Sequence, residues 1–381
     1  MQDFLLTEAE LRARESVKWR KYPPDVLPAF VADLDFKVAP AVQAAMERLV
    51  DAQDYVYGVP DTIEELYTAF ARWMGRRHGW NPDPALTIAT SDVIQGVVAT
   101  LVAYSDPGDG VVVQTPIYPP FVHVVPTSGR RFVGNPLAQG ERFTLDADNL
   151  AEVASGSRVI LLCNPHNPTG RVFERNELME IASVAERFDL TIISDEIHAD
   201  VTYGDAKHIP METVVPERTV TLTSATKSFN IPGTRAAIVH FGTAALKARF
   251  DKAIPDHLLG RPSRFGADAT IAAWSDSEGW LDSVMAYLAM NRELVAQWAA
   301  SRRGIRHVPP EATFLAWLDC RELGLTSSPY DFFLERAKVG LGDGRDFAEP
   351  GDGFVRLNFG TSTEILQQVL ERMSGALDHI S

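Results

Sequence analysis

The sequence predicts an α/β fold, with a mainly parallel central sheet, helices on both of its faces and a smaller α+β domain. A chain of 381 residues is too long for one simple core and fits two closely packed domains. From about Ile63 onward, short β-branched strands alternate with helical segments, which is typical of parallel sheets buried on both faces. We predict a large domain over residues 36–275 and a small domain built from residues 1–35 and 276–381.

The elements of the large domain follow from local patterns. Leu66, Phe70 and Trp73 recur at helical spacing, and an apolar run predicts a buried helix over residues 93–104. The predicted strands cover residues 110–114, 158–163, 190–194, 219–223 and 236–240, with an amphipathic helix over residues 177–188.

The pattern changes after about Ala267, where the small domain begins to dominate. A long helical region reaches Arg303. Predicted strands at residues 313–318 and 353–358 follow, and a final helix comes after Thr363.

Composition excludes several classes of function. The formal net charge of −15 argues against non-specific nucleic-acid binding and against docking on anionic membranes. Cys163 and Cys320 lie in apolar strand-like runs. We interpret them as small buried residues of a protein in a reducing compartment, not as a disulfide. The N-terminal residues show no signal-peptide pattern, so we expect a cytoplasmic protein without nucleic-acid or membrane partners. No His-Glu-x-x-His, Cys-x-x-Cys or P-loop pattern supports a metal or nucleotide site.

Lys227 stands just after the predicted strand at residues 219–223, among small hydroxyl residues and close to apolar Phe229. An amine in this setting is partly desolvated, which lowers its pKa and allows it to form a Schiff base. Ser224 and Arg235 could both reach one phosphate group. Most lysines beside a strand are solvated surface charges, so this segment alone does not decide between the two interpretations.

Two further segments do decide, namely Asn-Pro-His-Asn-Pro-Thr-Gly at residues 164–170 and Ser-Asp-Glu-Ile-His at residues 194–198. Together with the lysine segment, they resemble the fold-type I enzymes that use pyridoxal 5′-phosphate (PLP), the aminotransferase class I/II family. The resemblance runs over about residues 19–373. Within it, residues 30–36, 195–200 and 227–232 look like the MalY/PatB-type branch of cystathionine β-lyases, or C–S lyases.

The resemblance implies PLP as cofactor, a small amino acid as substrate and a role for each motif residue. Lys227 would hold PLP covalently, and Asp195 would hold the protonated pyridine nitrogen, which makes the ring an electron sink. Asn167 would donate to the phenolic oxygen, and His198 would border that edge of the ring, although a satisfied buried histidine is an alternative. Tyr118 matches the aromatic residue that stacks on the ring, although a lone tyrosine after a strand is more often a core residue. We expect Lys227, Asp195 and Tyr118 to be catalytic.

The phosphate of PLP is expected at the start of a helix, where Ser91, Asp92 and Val93 offer free backbone N–H groups. Ser224 and Arg235 complete the expected set. Asp92 departs from the small residue usual in relatives, and we expect its carboxylate to cap the helix and turn away from the phosphate. Arg235 is a second departure, because some C–S lyases lack a cation there, whereas many aminotransferases place arginine against the phosphate.

Tyr57, in Tyr-Val-Tyr-Gly at residues 55–58, resembles a tyrosine that reaches the phosphate of the neighbouring subunit. The family's second tyrosine is Val59 here, which weakens the match. The resemblance therefore implies a homodimer with shared active sites.

Arg356 resembles the arginine that binds the substrate α-carboxylate, a task that suits its planar two-donor group. A purely structural arginine in this apolar strand would need a buried carboxylate partner. Ala32, Asp33 and Asn167 are expected to border the substrate as well.

We therefore expect a PLP-dependent C–S β-lyase that cleaves cystathionine or a related L-cysteine S-conjugate to a thiol, pyruvate and ammonia, with Lys227 removing the Cα proton. Residues 30–36 and His198 favour this outcome. An aminotransferase is the first alternative, favoured by Arg235. A PLP-fold binding or regulatory protein without turnover is the second.

Overall fold

A computed structural model of the chain describes residues 3–255 and 258–379. The strands of these described residues are β1 (Leu27–Pro28), β2 (Thr87–Thr90), β3 (Gly110–Thr115), β4 (Arg131–Pro136), β5 (Ala138–Gln139), β6 (Phe143–Thr144), β7 (Ser157–Cys163), β8 (Thr191–Asp195), β9 (Thr219–Thr223), β10 (Ala237–Phe241), β11 (Arg306–His307), β12 (Leu315–Asp319), β13 (Val339–Gly340), β14 (Gly342–Asp343) and β15 (Phe354–Asn358).

Helices connect and cover these strands. They are α1 (Glu8–Ala13), α2 (Val17–Arg20), α3 (Pro40–Asp51), α4 (Pro60–His78), α5 (Val93–Tyr104), α6 (Pro119–Thr127), α7 (Ala147–Val153), α8 (Arg175–Arg187), α9 (Ala244–Ala253), α10 (Arg264–Asp276), α11 (Glu278–Ala300), α12 (Pro329–Phe332) and α13 (Thr363–Leu377). As far as the chain is described, none of them is long and apolar enough to cross a membrane.

A seven-stranded sheet in the described part of the chain has the order β2-β10-β9-β8-β7-β3-β4. Only the pairs of β10 with β2 and β9 are antiparallel, so the prediction of a mainly parallel sheet is confirmed. The register sets Cys163 opposite Asp195 and Asp195 opposite Leu222. The carboxyl ends of β7, β8 and β9 therefore meet at one edge, where ligands of open α/β sheets bind.

A second, antiparallel sheet has the order β11-β12-β15-β14 and contributes to a core with buried residues of α11 and α13. The short strand β1 pairs in parallel with β13, so the beginning of the chain lies against its C-terminal part. This pairing supports the proposed small domain of residues 1–35 and 276–381, whose limits stay a prediction. Residues 1–2 and 380–381 of that range lie outside the described residues.

Two features of the fold differ from the sequence expectation. The long helical region is divided at Ser277, whose hydroxyl donates to the Ala272 carbonyl at 3.0 Å and so ends α10 before α11 begins. The strands β2 and β4 were not predicted. Strand β4 lies at the edge of the sheet with mostly exposed or half-buried residues, so it lacks the apolar run that identified the central strands.

Candidate active site

A cavity of about 360 Å³ lies at the carboxyl edge of the large sheet. The predicted site residues that line it are Ala32, Ser91, Asp92, Val93, Tyr118, Asn167, Asp195, His198, Ser224, Lys227 and Arg235. The sequence analysis missed six other residues in the lining, which are Ile94, Cys163, Ile197, Thr226, Pro232 and Ala236. Their apolar or small side chains carry no signal of a site, because residues of these types occur throughout the core.

Lys227 lies shortly after the end of β9, and its amine contacts the N-terminal segment at Ala32. Its Nζ donates to the Ala32 carbonyl at 2.7 Å. The pKa of Lys227 is lowered to about 8, mainly by burial and partly by Arg356. Asp33 and Asp195 oppose this shift. A larger fraction of this amine is therefore neutral near pH 7 than for an ordinary lysine, as a nucleophile or general base requires.

Asp195 is the last residue of β8, and its carboxyl group is buried. One carboxylate oxygen accepts from the Ile197 N–H at 3.1 Å. Burial raises the pKa of Asp195 to about 7, because one backbone donor does not replace the lost water, and nearby Glu196 adds to the shift. A buried carboxylate with this single close donor is suited to a cationic partner such as a protonated pyridine nitrogen.

Arg356 in β15 is not itself part of the cavity lining, but it is buried beside the cavity and contacts Asn167 of the wall. Its Nη1 donates to Asn167 Oδ1 at 2.9 Å and its Nη2 to the Phe30 carbonyl at 2.7 Å. The guanidinium also lies 4.9 Å from the Phe347 ring centroid. Over the described residues, no carboxylate lies within ion-pair distance of it, and its Nε has no hydrogen-bond partner. Burial lowers the pKa of Arg356 to about 10, because the guanidinium has lost water and has only neutral acceptors. An incoming carboxylate would supply the missing opposite charge.

His198 and Tyr118 also line the cavity. Burial lowers the pKa of His198 to about 3, so its ring is neutral. The ring meets Phe314 edge-on at 6.1 Å, and its Nδ1 has no hydrogen-bond partner within the described chain, so it is not a fully satisfied core histidine. Tyr118 precedes α6 and packs edge-on against Phe121, and burial raises the pKa of its phenol.

Asp92 caps α5, as expected, with its Oδ1 accepting from the Gln95 N–H at 2.8 Å. Its other oxygen accepts from Arg235 Nη2 at 2.6 Å. Arg235 takes a left-handed backbone conformation with a φ of 58°, and its side chain is mostly exposed. The two departures from the family pattern are therefore one ion pair, in which each charge partly neutralises the other.

Ser91, Val93 and Ser224 lie around this ion pair in the cavity wall. Ser91 Oγ donates to Gln95 Oε1 at 3.2 Å. Ser224 Oγ donates to the Ala236 carbonyl at 2.6 Å and accepts from the Thr226 N–H at 3.1 Å. This end of the cavity combines a helix N-terminus, hydroxyl groups and a guanidinium, which together are suited to a phosphate group.

Tyr57 is not brought into this cavity. Its side chain is 100% exposed, and its neighbours Tyr55, Val56 and Val59 are 64%, 68% and 54% exposed. Its role towards a neighbouring subunit therefore stays a prediction.

Comparisons with known proteins agree with this geometry. A family model described as aminotransferase class I and II matches residues 31–373. A Mycobacterium leprae protein named "Putative cystathionine beta-lyase" is 39% identical over 395 residues, covering 98% of this chain and 97% of the relative. Cystathionine beta-lyase PatB of Bacillus subtilis is 33% identical over 95% of this chain and 97% of its own length. The PLP-bound C-S lyase from Staphylococcus hominis has a TM-score of 0.92 at 26% identity, covering 100% of this chain and 99% of that one.

The Asp92–Arg235 ion pair predicts coupled effects on cofactor affinity. Arg235→Ala removes a cation from the expected phosphate end and weakens PLP binding, whereas Asp92→Asn removes an anion, keeps a good helix cap and strengthens binding. Both side chains are partly exposed, so we expect a coupling energy on the order of 0.5 kcal/mol, with Arg235→Ala more harmful when residue 92 is Asn. PLP dissociation constants of the four proteins measure it, and strictly additive changes would contradict the coupling.

Proposed function

The chain belongs to the aminotransferase class I and II family, and we propose that it is a PLP-dependent C–S β-lyase that cleaves cystathionine or a related L-cysteine S-conjugate to a thiol, pyruvate and ammonia. The observation that carries the proposal is that Lys227 and Asp195 line one cavity, with Arg356 hydrogen-bonded to Asn167 of its wall, in a chain whose relatives are named cystathionine β-lyases.

PLP fits the residues present. When bound, PLP withdraws electrons from the substrate Cα and so makes its proton removable. We assign the protonated ring nitrogen to Asp195, whose buried carboxylate has a close donor on one oxygen. Asn167 Oδ1 accepts from Arg356, so its amide NH2 would remain as a donor for the phenolic oxygen. The start of α5, Ser224 and Arg235 supply the phosphate site.

The chain's own groups then divide the work on the substrate. Arg356 binds the α-carboxylate and fixes the amino acid in the cavity. Lys227 Nζ removes the Cα proton, which its lowered pKa allows near neutral pH. Elimination takes a proton from Cα and a thiolate from Cβ, and one water converts the three-carbon remainder to pyruvate and ammonia.

Arg235 was the observation that favoured an aminotransferase. Its guanidinium is held by Asp92 at 2.6 Å, so its full charge is not available to a phosphate. This pairing weakens the argument for transamination that rested on an unpaired arginine. His198 and residues 30–36 support lysis, and His198 and Ala32 of that segment line the cavity.

A homodimer is proposed from the exposed apolar segment of residues 55–59. Two tyrosines and two valines of this segment lie open to water on a single chain, which a second copy would cover. The free and buried Cys163 and Cys320 support the proposed cytoplasmic location, because such thiols are typical of proteins in a reducing compartment.

Co-expression of two inactive variants tests shared active sites. If Tyr57 serves the neighbouring subunit, a hybrid of a Tyr57→Ala chain and a Lys227→Ala chain contains one intact site. Random pairing then restores about a quarter of the wild-type sites, measured as lyase activity at limiting PLP. Met290→Ala, a change at another exposed apolar residue, is the matched control. A protein that carries only this change should keep the wild-type activity. No recovery in the mixture, with hybrids demonstrated by affinity tags, would argue against shared sites.

Product analysis tests the reaction. L-Cystathionine should give pyruvate, ammonia and free thiol in equal amounts without any added 2-oxo acid, because elimination regenerates the cofactor each cycle. L-Alanine has no leaving group at Cβ and should give no pyruvate by this route. Turnover that stops after one equivalent, and resumes only when a 2-oxo acid is added, would identify an aminotransferase instead.

A further inference from the structure

Lys18, Asp33 and Asp35 form a charge cluster at the N-terminal side of the cavity. The Lys18 ammonium is 1% exposed and lies 2.8 Å from Asp35 Oδ2 and 3.5 Å from Asp33 Oδ1. One ammonium thus faces two carboxylates. When all three groups are ionised, the cluster keeps one negative charge that Lys18 does not balance.

Of the two carboxylates, Asp33 is the more weakly paired with Lys18. Both oxygens of Asp35 have close donors, since Lys18 and the Trp19 indole N–H each donate to it at 2.8 Å. The Oδ1 of Asp33 is buried without a hydrogen-bond donor among the described residues. The side chain of Asp33 is 23% exposed. Asp35 is therefore the close, hydrogen-bonded partner of Lys18, and Asp33 is a more distant ion-pair partner at 3.5 Å.

The backbone holds Asp33 directly after the carbonyl group that contacts the Lys227 amine. Asp33 follows Ala32, whose carbonyl accepts from Lys227 Nζ at 2.7 Å. The Asp33 carbonyl accepts from Asn358 Nδ2 at 2.7 Å, and the next N–H, that of Leu34, donates to Asn230 Oδ1 at 3.0 Å. With bonds on both sides, this stretch of chain cannot swing away from the lysine without losing them.

The charged and titratable groups that face Lys227 come from several elements. They include Arg356 of β15, the neutral ring of His198 and Asp195 at the end of β8. Among the carboxylates, Asp33 acts most strongly to keep the pKa of Lys227 up against burial, ahead of Asp195. Burial raises the pKa of Asp33 itself, which Lys18 and Lys227 both oppose.

We propose that Asp33 is a positioning residue that stabilises the ammonium form of Lys227, the form that exists after Lys227 Nζ has taken the Cα proton. The timing of this step rests on the proposed function, whereas the charge relation between the two residues does not. In this arrangement, the Ala32 carbonyl orients the free Lys227 amine, and the Asp33 carboxylate makes that amine a stronger base. Asp195 cannot take this task in the loaded enzyme, because it is assigned to the ring nitrogen.

The titration of Lys227 in the full-length, cofactor-free protein tests the proposal. The protein is labelled briefly with acetic anhydride across a pH series, and modification of Lys227 is quantified by peptide mass spectrometry. Asp33→Asn should lower the midpoint by about 0.5–1 pH unit, because a nearby opposite charge is lost. Asp33→Glu, which keeps the charge, should restore most of the shift.

A variant of the opposite sign separates this effect from structural damage. Lys18→Met removes the cation that competes for Asp33, so the Lys227 midpoint should rise, whereas a loosened site would move both variants in the same direction. In the loaded enzyme, Asp33→Asn should lower kcat several-fold with little change in the KM for cystathionine. An unchanged Lys227 midpoint in Asp33→Asn overturns the proposal even if the protein is a lyase. A shifted midpoint in a protein that transaminates instead overturns only the proposed function.

Discussion

Asp195 and partly buried Lys227 line one cavity, and Arg356 is buried beside it; the rest of the site depends on the loss of water around these three ionisable side chains. Burial moves the pKa of Lys227, Asp195 and Arg356 towards their neutral forms, to about 8, 7 and 10. Isolated buried charges are costly, so each group is prepared for a partner of opposite charge or for a proton. Under the proposed function, the substrate carboxylate pairs with Arg356 and the PLP ring nitrogen pairs with Asp195. The free Lys227 amine then takes the Cα proton.

The N-terminal segment of residues 30–36 joins the two sides of this cavity. Its carbonyl groups accept hydrogen bonds in turn from Arg356 and Asn358 of strand β15 and from Lys227 after strand β9. Asn230 holds the same segment through Leu34 and Phe36. Because both Lys227 and Arg356 contact this segment, a movement of the segment alters both groups together. The segment that carried the resemblance to C–S lyases is thus structurally part of the site.

Sequence reasoning predicted the parallel sheet from its β-branched strands, and most of the cavity lining from the family resemblance that the segments of Asn167, Asp195 and Lys227 carry. It did not predict the Asp92–Arg235 ion pair, whose members are 143 residues apart and were considered separately. It also missed the Phe30 and Ala32 carbonyls as acceptors, since a backbone carbonyl has no residue type to recognise. Strand β4 was missed because an exposed edge strand lacks an apolar run.

Exchange of the Cα proton of L-alanine with deuterium from solvent tests the central claim most directly. It reports proton removal at Cα whether the final outcome is elimination or transamination. The account predicts exchange with the PLP-loaded wild type, followed by proton NMR. It predicts a loss of at least about 100-fold in Lys227→Ala with PLP bound, the usual contribution of a general base. Exchange at the wild-type rate in that variant would show that Lys227 is not the base and would contradict the account.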